Sequence, residues 1–219
     1  MIGASCANTL KYMRTVSSTL DLKLTCGNKS WLVHKSIISA ASGVFSSLLE
    51  RGFKESQQQQ ELVEIQENPK IMGIAIEIKD DDPEIFGIMI DFIYGCQRLI
   101  NHGNILGVYS IGKKYLITSL VLYTLEKLRF LIDDVILFNA VQVSIEGSDE
   151  DCFQICATYM LWYYERIRTK PKYLELIKVD HPLMDSFRAA LAQKTIIKTT
   201  TTDKKTSDPV KTHNALWVL

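Results

Sequence analysis

His34, Lys35 and Ser36 are the residues whose types and spacing most invite chemistry. A histidine beside a hydroxyl can act as general base to a nucleophile. Such a base also needs an orienting carboxylate and an activated nucleophile in a recognisable frame. The other histidines, His102, His181 and His213, lie in loop or tail sequence without a matched Ser or Cys motif. No G-x-S-x-G, H-E-x-x-H or phosphate-binding loop occurs. The His34 imidazole is therefore expected to be structural, fixing a strand–helix junction, and no catalytic residue is assigned.

The carboxylate and thiol clusters point the same way. Asp80-Asp81-Asp82 ends where a helix needs its N-cap, which accounts for it without an ion. Asp133-Asp134 reads as lying inside a helical pattern, where neighbouring side chains diverge. Neither group follows calcium-loop spacing. Cys152 and Cys156 share a helical face, but two thiols without a second ligand pair make a poor zinc site. The 5 cysteines show no C-x-x-C spacing and are expected to be reduced, mostly buried thiols. The glycines of "IYGC", "HGN" and "SIGKKY" form no G-x-G-x-x-G cradle. No metal and no cofactor is expected.

Lys113-Lys114 is too small a patch for a nucleic-acid face. The tail lysines 194, 198, 204, 205 and 211 are partly offset by Asp203 and Asp208 and read as solvated. Tyr159, Trp162, Tyr163 and Tyr164 exceed one helix face. They either pack between two neighbouring helices or form a partner groove or dimer face.

These residues must be positioned by elements that composition and patterning outline. The chain has 219 residues, 47% hydrophobic and 23% charged, which is ordinary globular composition. Lys+Arg and Asp+Glu are 25 each, so nothing draws the chain in bulk to nucleic acid or an anionic membrane. No apolar run reaches the length of a membrane span, and the N-terminus lacks the pattern of a secretory signal. A soluble protein of the cytoplasm or nucleus is expected.

"DLKLTC" alternates as a half-buried strand, "GNKS" supplies a turn, and "WLV" continues as a second strand. Ser36 is expected to cap one short helix and Ser42 the next, with Phe45, Leu48 and Leu49 inward. The tract "SQQQQE" reads as an exposed loop, followed by strand-like runs at 61–65 and 74–79. Asp82-Pro83-Glu84 starts a helix that Gly95 ends. Helices follow to about Gln193, and the Thr/Lys-rich remainder reads as a disordered tail. The order indicates an α+β fold, a small sheet flanked by helices, with an all-helical C-terminal extension.

With these pieces in order, the chain resembles the BTB/POZ domain family, of the fungal BTB-only type. The resemblance covers about 21–132 and rests on "DLKL", "WLVHKSIISAASGVFSSLL", "GFKES", "IAIEIKDDDPEIFGIMIDFIYG" and "ILGVYSIGKKYLITSL". It implies a 1–20 N-terminal segment serving as a dimer arm, a 21–132 BTB/POZ domain, a 133–193 helical extension and a 194–219 tail. It implies an interaction module rather than an enzyme. The expected partners are a second copy of itself, a cullin scaffold and a target protein the sequence does not name. On the same resemblance, Asp21 and Lys35 would be the charged pair of the dimer groove, and Phe53 and Glu55 the contact with a cullin. One departure is the long 56–73 insertion with its glutamine tract. It favours an alternative expectation, a transcription-linked or structural member that binds no cullin.

Overall fold

Helix α1 (Ala4–Thr15) leads through a single 3-10 turn at Ser17–Thr19 into a hairpin of β1 (Leu22–Cys26) and β2 (Lys29–Val33). The computed structural model describes residues 4–50, 61–67, 70–97 and 99–202. Alternation does the work in β1, where Leu22, Leu24 and Cys26 are buried and Lys23 and Thr25 are half-buried. Burying each leucine stabilises the fold by roughly 1.5–3 kcal/mol. The hairpin turns on two residues, Gly27-Asn28, with Cys26 opposite Lys29. Gly27 takes a φ of +55°, and a Cβ there would meet Pro83 Cγ at 2.9 Å, so both backbone and space call for glycine.

Helices α2 (Lys35–Ala41) and α3 (Gly43–Leu49) follow, then strands β3 (Glu61–Glu67) and β4 (Lys70–Ile78). The sheet order is β2-β1-β4-β3. Strands β1 and β4 run parallel, and the outer pairs are antiparallel, with a register shift between Glu64 and Gln66. Part of the 56–73 insertion is thus an edge strand laid on β4. Residues 51–60 and 68–69, with Phe53, Glu55 and the glutamine tract, lie outside the described residues.

The helical layer is α4 (Pro83–Ile93), α5 (Ile105–Lys114), α6 (Thr118–Leu131) and α7 (Asp134–Glu146). Asp82 caps α4 as expected, accepting the N–H of Glu84 at 2.7 Å and of Ile85 at 3.1 Å. Ser42 caps α3 through the Phe45 N–H at 3.1 Å. Phe45 and Leu49 are buried and Leu48 is half-buried. Phe86, Met89, Ile90, Val108, Ile117 and Leu120 fill the core between sheet and helices.

Two expectations about helix starts are corrected. Ser36 does not cap α2, because that helix begins at Lys35 and its N-cap position is His34. Asp133 is not inside a helix. Ile132 is extended and ends α6, and Asp133 caps α7 by accepting the N–H of Val135 at 2.9 Å and of Ile136 at 3.0 Å. The apolar run on both sides hid this break.

Met1–Cys156 and Ala157–Leu219 are separate compact units. The chain continues as α8 (Glu150–Trp162), α9 (Tyr164–Ile167), α10 (Pro171–Leu176) and α11 (Pro182–Thr202). Within the second unit Ile167, Tyr173, Met184 and Phe187 are buried. Arg188 donates to the carbonyls of Ile177 at 2.8 Å and Val179 at 3.1 Å, tying the end of α10 to α11. Helical backbone runs on to Thr202, into the Thr/Lys-rich segment, and 203–219 lie outside the described residues. Among the described residues, Cys26, Cys152 and Cys156 are buried free thiols, and no helix is long and apolar enough to cross a membrane.

Candidate interaction surface

Asp21 precedes β1 and is held on three sides. Its N–H donates to the Val33 carbonyl at 3.2 Å, and its own carbonyl accepts the Ile74 N–H at 3.1 Å. Its carboxylate Oδ1 accepts the Lys35 N–H at 2.7 Å. Asp21 therefore caps the first turn of α2 from across the chain, next to the positive end of that helix. Asp21 and Lys35 are brought together through the Lys35 backbone; among the described residues the Lys35 ammonium forms no ion pair.

His34 lies between them and is only 4% exposed. Its backbone N–H donates to Tyr94 Oη at 2.8 Å, Nδ1 lies 2.9 Å from the same oxygen, and Nε2 lies 2.8 Å from Thr19 Oγ1. Thr19 Oγ1 itself donates to the Val16 carbonyl at 2.9 Å. One proton arrangement satisfies every group. Nε2–H donates to Thr19, Tyr94 O–H donates to Nδ1, and Tyr94 Oη accepts the backbone N–H. This is a neutral imidazole. Burial pushes the His34 pKa below its ordinary value, against the opposing pull of the Asp21 charge. Burial also raises the Tyr94 phenol. The imidazole has no free nitrogen for proton transfer, and its work is to join β2, the turn before β1 and the end of α4.

Tyr94 also meets the N-terminal helix. The Arg14 guanidinium lies 5.2 Å from the Tyr94 ring centroid and forms an ion pair with Asp91. Gly95, at φ +85°, lets α1 come close, since a Cβ there would meet Ala7 Cβ at 3.0 Å. The outer side of α1 shows Tyr12, 69% exposed, and Met13, 37% exposed.

The joint between α5 and α6 forms a second cluster. Lys113 donates to Asp149 at 2.7 Å and Lys114 to Asp81 at 2.7 Å. Tyr115 donates to Asp81 at 2.7 Å, and Tyr109 donates to Asp149. Burial alone would raise the Asp149 carboxyl, but hydrogen bonds from Lys113, Tyr109 and the Cys152 N–H hold it below the usual carboxylate range. The two lysines are thus clasps for the turns before α8 and α4. The same joint turns through Leu116, whose φ of +53° is unusual for a branched side chain and which remains 63% exposed against Gly43. Sequence reading missed Thr19, Tyr94 and Leu116. A tyrosine in the apolar run "IMIDFIYG" was the available signal, because a buried phenol must find a partner.

The aromatic cluster splits. Tyr164 packs edge-on to Tyr173, centroids 6.1 Å apart. Tyr159 and Tyr163 lie tilted against one another at 46° with centroids 4.6 Å apart, and Trp162 is 69% exposed.

The BTB/POZ domain family model matches residues 10–129, more than half of the chain. The chain belongs to the BTB/POZ domain family. The match begins within α1 and runs almost to the end of α6. A curated relative is Kelch-like protein 7 of Mus musculus, 21% identical over 168 residues, covering 77% of this chain and 26% of that protein. The chain therefore spans about a quarter of that relative's length. A similar solved structure is the BTB domain of zebrafish PATZ1, at 18% identity and a TM-score of 0.43, covering 58% of this chain and 94% of that one. A BTB/POZ domain is a protein-interaction module, and the α+β fold with its helical C-terminal part agrees with that membership.

Proposed function

We propose that this BTB/POZ protein is a non-enzymatic adaptor of the cytoplasm or nucleus. It forms a homodimer and presents a cullin scaffold with a target bound elsewhere on the chain. The observation that carries the dimer is α1, docked through Arg14 and Ala7 while Tyr12 and Met13 stay uncovered. The cullin contact rests on Phe53 and Glu55, which match the family's hydrophobic-x-Glu segment just after α3. Exposed Leu116 supports it, lying against Gly43 at the first residue of that helix.

A second reading keeps the dimer and drops the cullin. It is favoured by the long segment between α3 and β4, part of which is the added strand β3. Capture of a purified cullin N-terminal scaffold by the full chain separates the two. The adaptor reading expects capture by the wild type and its loss in Phe53→Ala and Glu55→Arg. Capture that survives both substitutions removes these residues from the contact, and no capture by the wild type favours the second reading.

A further inference from the structure

We propose that the exposed end of α8 is a docking surface for an acidic segment of another protein. The inference rests on the adaptor reading for its purpose, as the place where a target is held. Trp162 is 69% exposed and Tyr163 43% exposed. The Arg166 guanidinium lies 4.5 Å from the Tyr163 ring centroid and 6.0 Å from that of Tyr159, and its Nη2 donates to Tyr159 Oη at 2.7 Å. Trp, Tyr and Arg are the side chains that most often carry binding energy at interfaces. Here the cation is already held by two rings, so less side-chain freedom is lost when a partner arrives.

Charge selects the partner. Residues 157–219 carry 11 Lys and Arg against 6 Asp and Glu, whereas 1–156 carry 14 against 19. The zero net charge of the chain conceals this division. Between Tyr159 and Lys178 the ratio is 5 to 2, and one of those acids, Glu165, is engaged by Arg168 at 2.7 Å. An apolar anchor such as Trp162 suits many partners, but Arg166 and the excess of cations along this stretch of chain favour one that sets carboxylates beside an aromatic or aliphatic residue. Single-stranded nucleic acid fits less well. It needs a run of open ring faces and a strongly basic groove, and here Tyr159 and Tyr163 are occupied by one another and by Arg166.

The test uses the full chain and a fluorescein-labelled Glu/Tyr copolymer as probe, read by fluorescence anisotropy. A labelled oligothymidine runs in parallel. The copolymer is expected to bind, and Trp162→Ala and Arg166→Ala are each expected to weaken it by about tenfold. Arg166→Lys, which keeps the charge, should fall between. Leu122→Ala, an exposed apolar position in the first unit, should bind as the wild type does. Equal binding by Trp162→Ala and Arg166→Ala overturns the proposal. So does tighter binding of oligothymidine that is lost in the same variants, which would make the surface a nucleic-acid face. A drop in oligomeric mass in Trp162→Ala also overturns it, since a second copy would then be the occupant. Cullin capture should be unchanged in all these variants, so failure of this site and failure of the cullin contact read out separately.

Discussion

Thr19, His34 and Tyr94 form a hydrogen-bond chain in which each proton has one place to go. A second proton on His34 would set Nδ1–H against Tyr94 Oη, which already accepts the backbone N–H, and would leave the phenol proton without its acceptor. The linkage follows from that geometry. The folded-state pKa of His34 lies below that of the unfolded chain, about 6.5. The unfolded chain therefore takes up this proton first as pH falls, and the stability the group contributes is complete above about pH 6.5 and is lost from there downward. Urea unfolding midpoints across pH 5 to 8 test this. The substitution His34→Gln should cost roughly 1–3 kcal/mol near pH 7.5, because buried partners are stranded. It should also flatten the decline toward pH 5. Parallel profiles for the two proteins would remove His34 as the titrating group.

At the scale of elements, the hairpin turn concentrates a demand that no other residue type meets. Gly27→Ala would set a side chain at φ +55° and 2.9 Å from a proline ring that cannot swing aside. Left-handed backbone alone costs an L-residue roughly 1–2 kcal/mol. We expect thermal unfolding of Gly27→Ala to show a loss of about 1–3 kcal/mol. Gly103→Ala, where the nearest contact would be Asn101 Oδ1 at 3.4 Å, should be close to neutral. A neutral Gly27→Ala would mean that the turn relaxes and Pro83 moves. What made elements legible was locality. Asp82-Pro83 and Ser42 carry their capping instructions within three residues of the helix they start. Ser36 misled because α2 is served by the distant Asp21 carboxylate, and Asp133 because apolar helical residues flank the joint it caps on both sides. The site was legible only in part for the same reason. His34 stands in a recognisable junction, but its partner Tyr94 is 60 residues away. Lys113 and Lys114 looked like an isolated charge, while their carboxylates lie 36 and 33 residues off.

At the scale of the whole molecule, the proposed homodimer depends on the N-terminal helix. Helix α1 is docked by an ion pair, a cation over a ring and one close backbone approach. None of its described residues is fully buried. A helix held this way gains little from its own unit, and its exposed Tyr12 and Met13 gain most when a second surface covers them. Two side chains are far short of the roughly 1,200 Å² that a stable interface buries, so the proposed dimer requires the arm to engage along its length with its copy doing the same. Light scattering on the full chain at tens of micromolar should therefore give twice the mass of one chain. Tyr12→Glu puts a charge at the centre of that contact and should return the single-chain mass, with an unfolding midpoint that matches the wild type only at dilutions where both are single chains, because the residue is exposed in the single chain. Arg14→Ala, which loosens the docked side of α1, should weaken the dimer and lower stability together. A wild type that stays monomeric at this concentration would remove the dimer from the proposed function. A Tyr12→Glu protein that stays dimeric would move the contact away from α1.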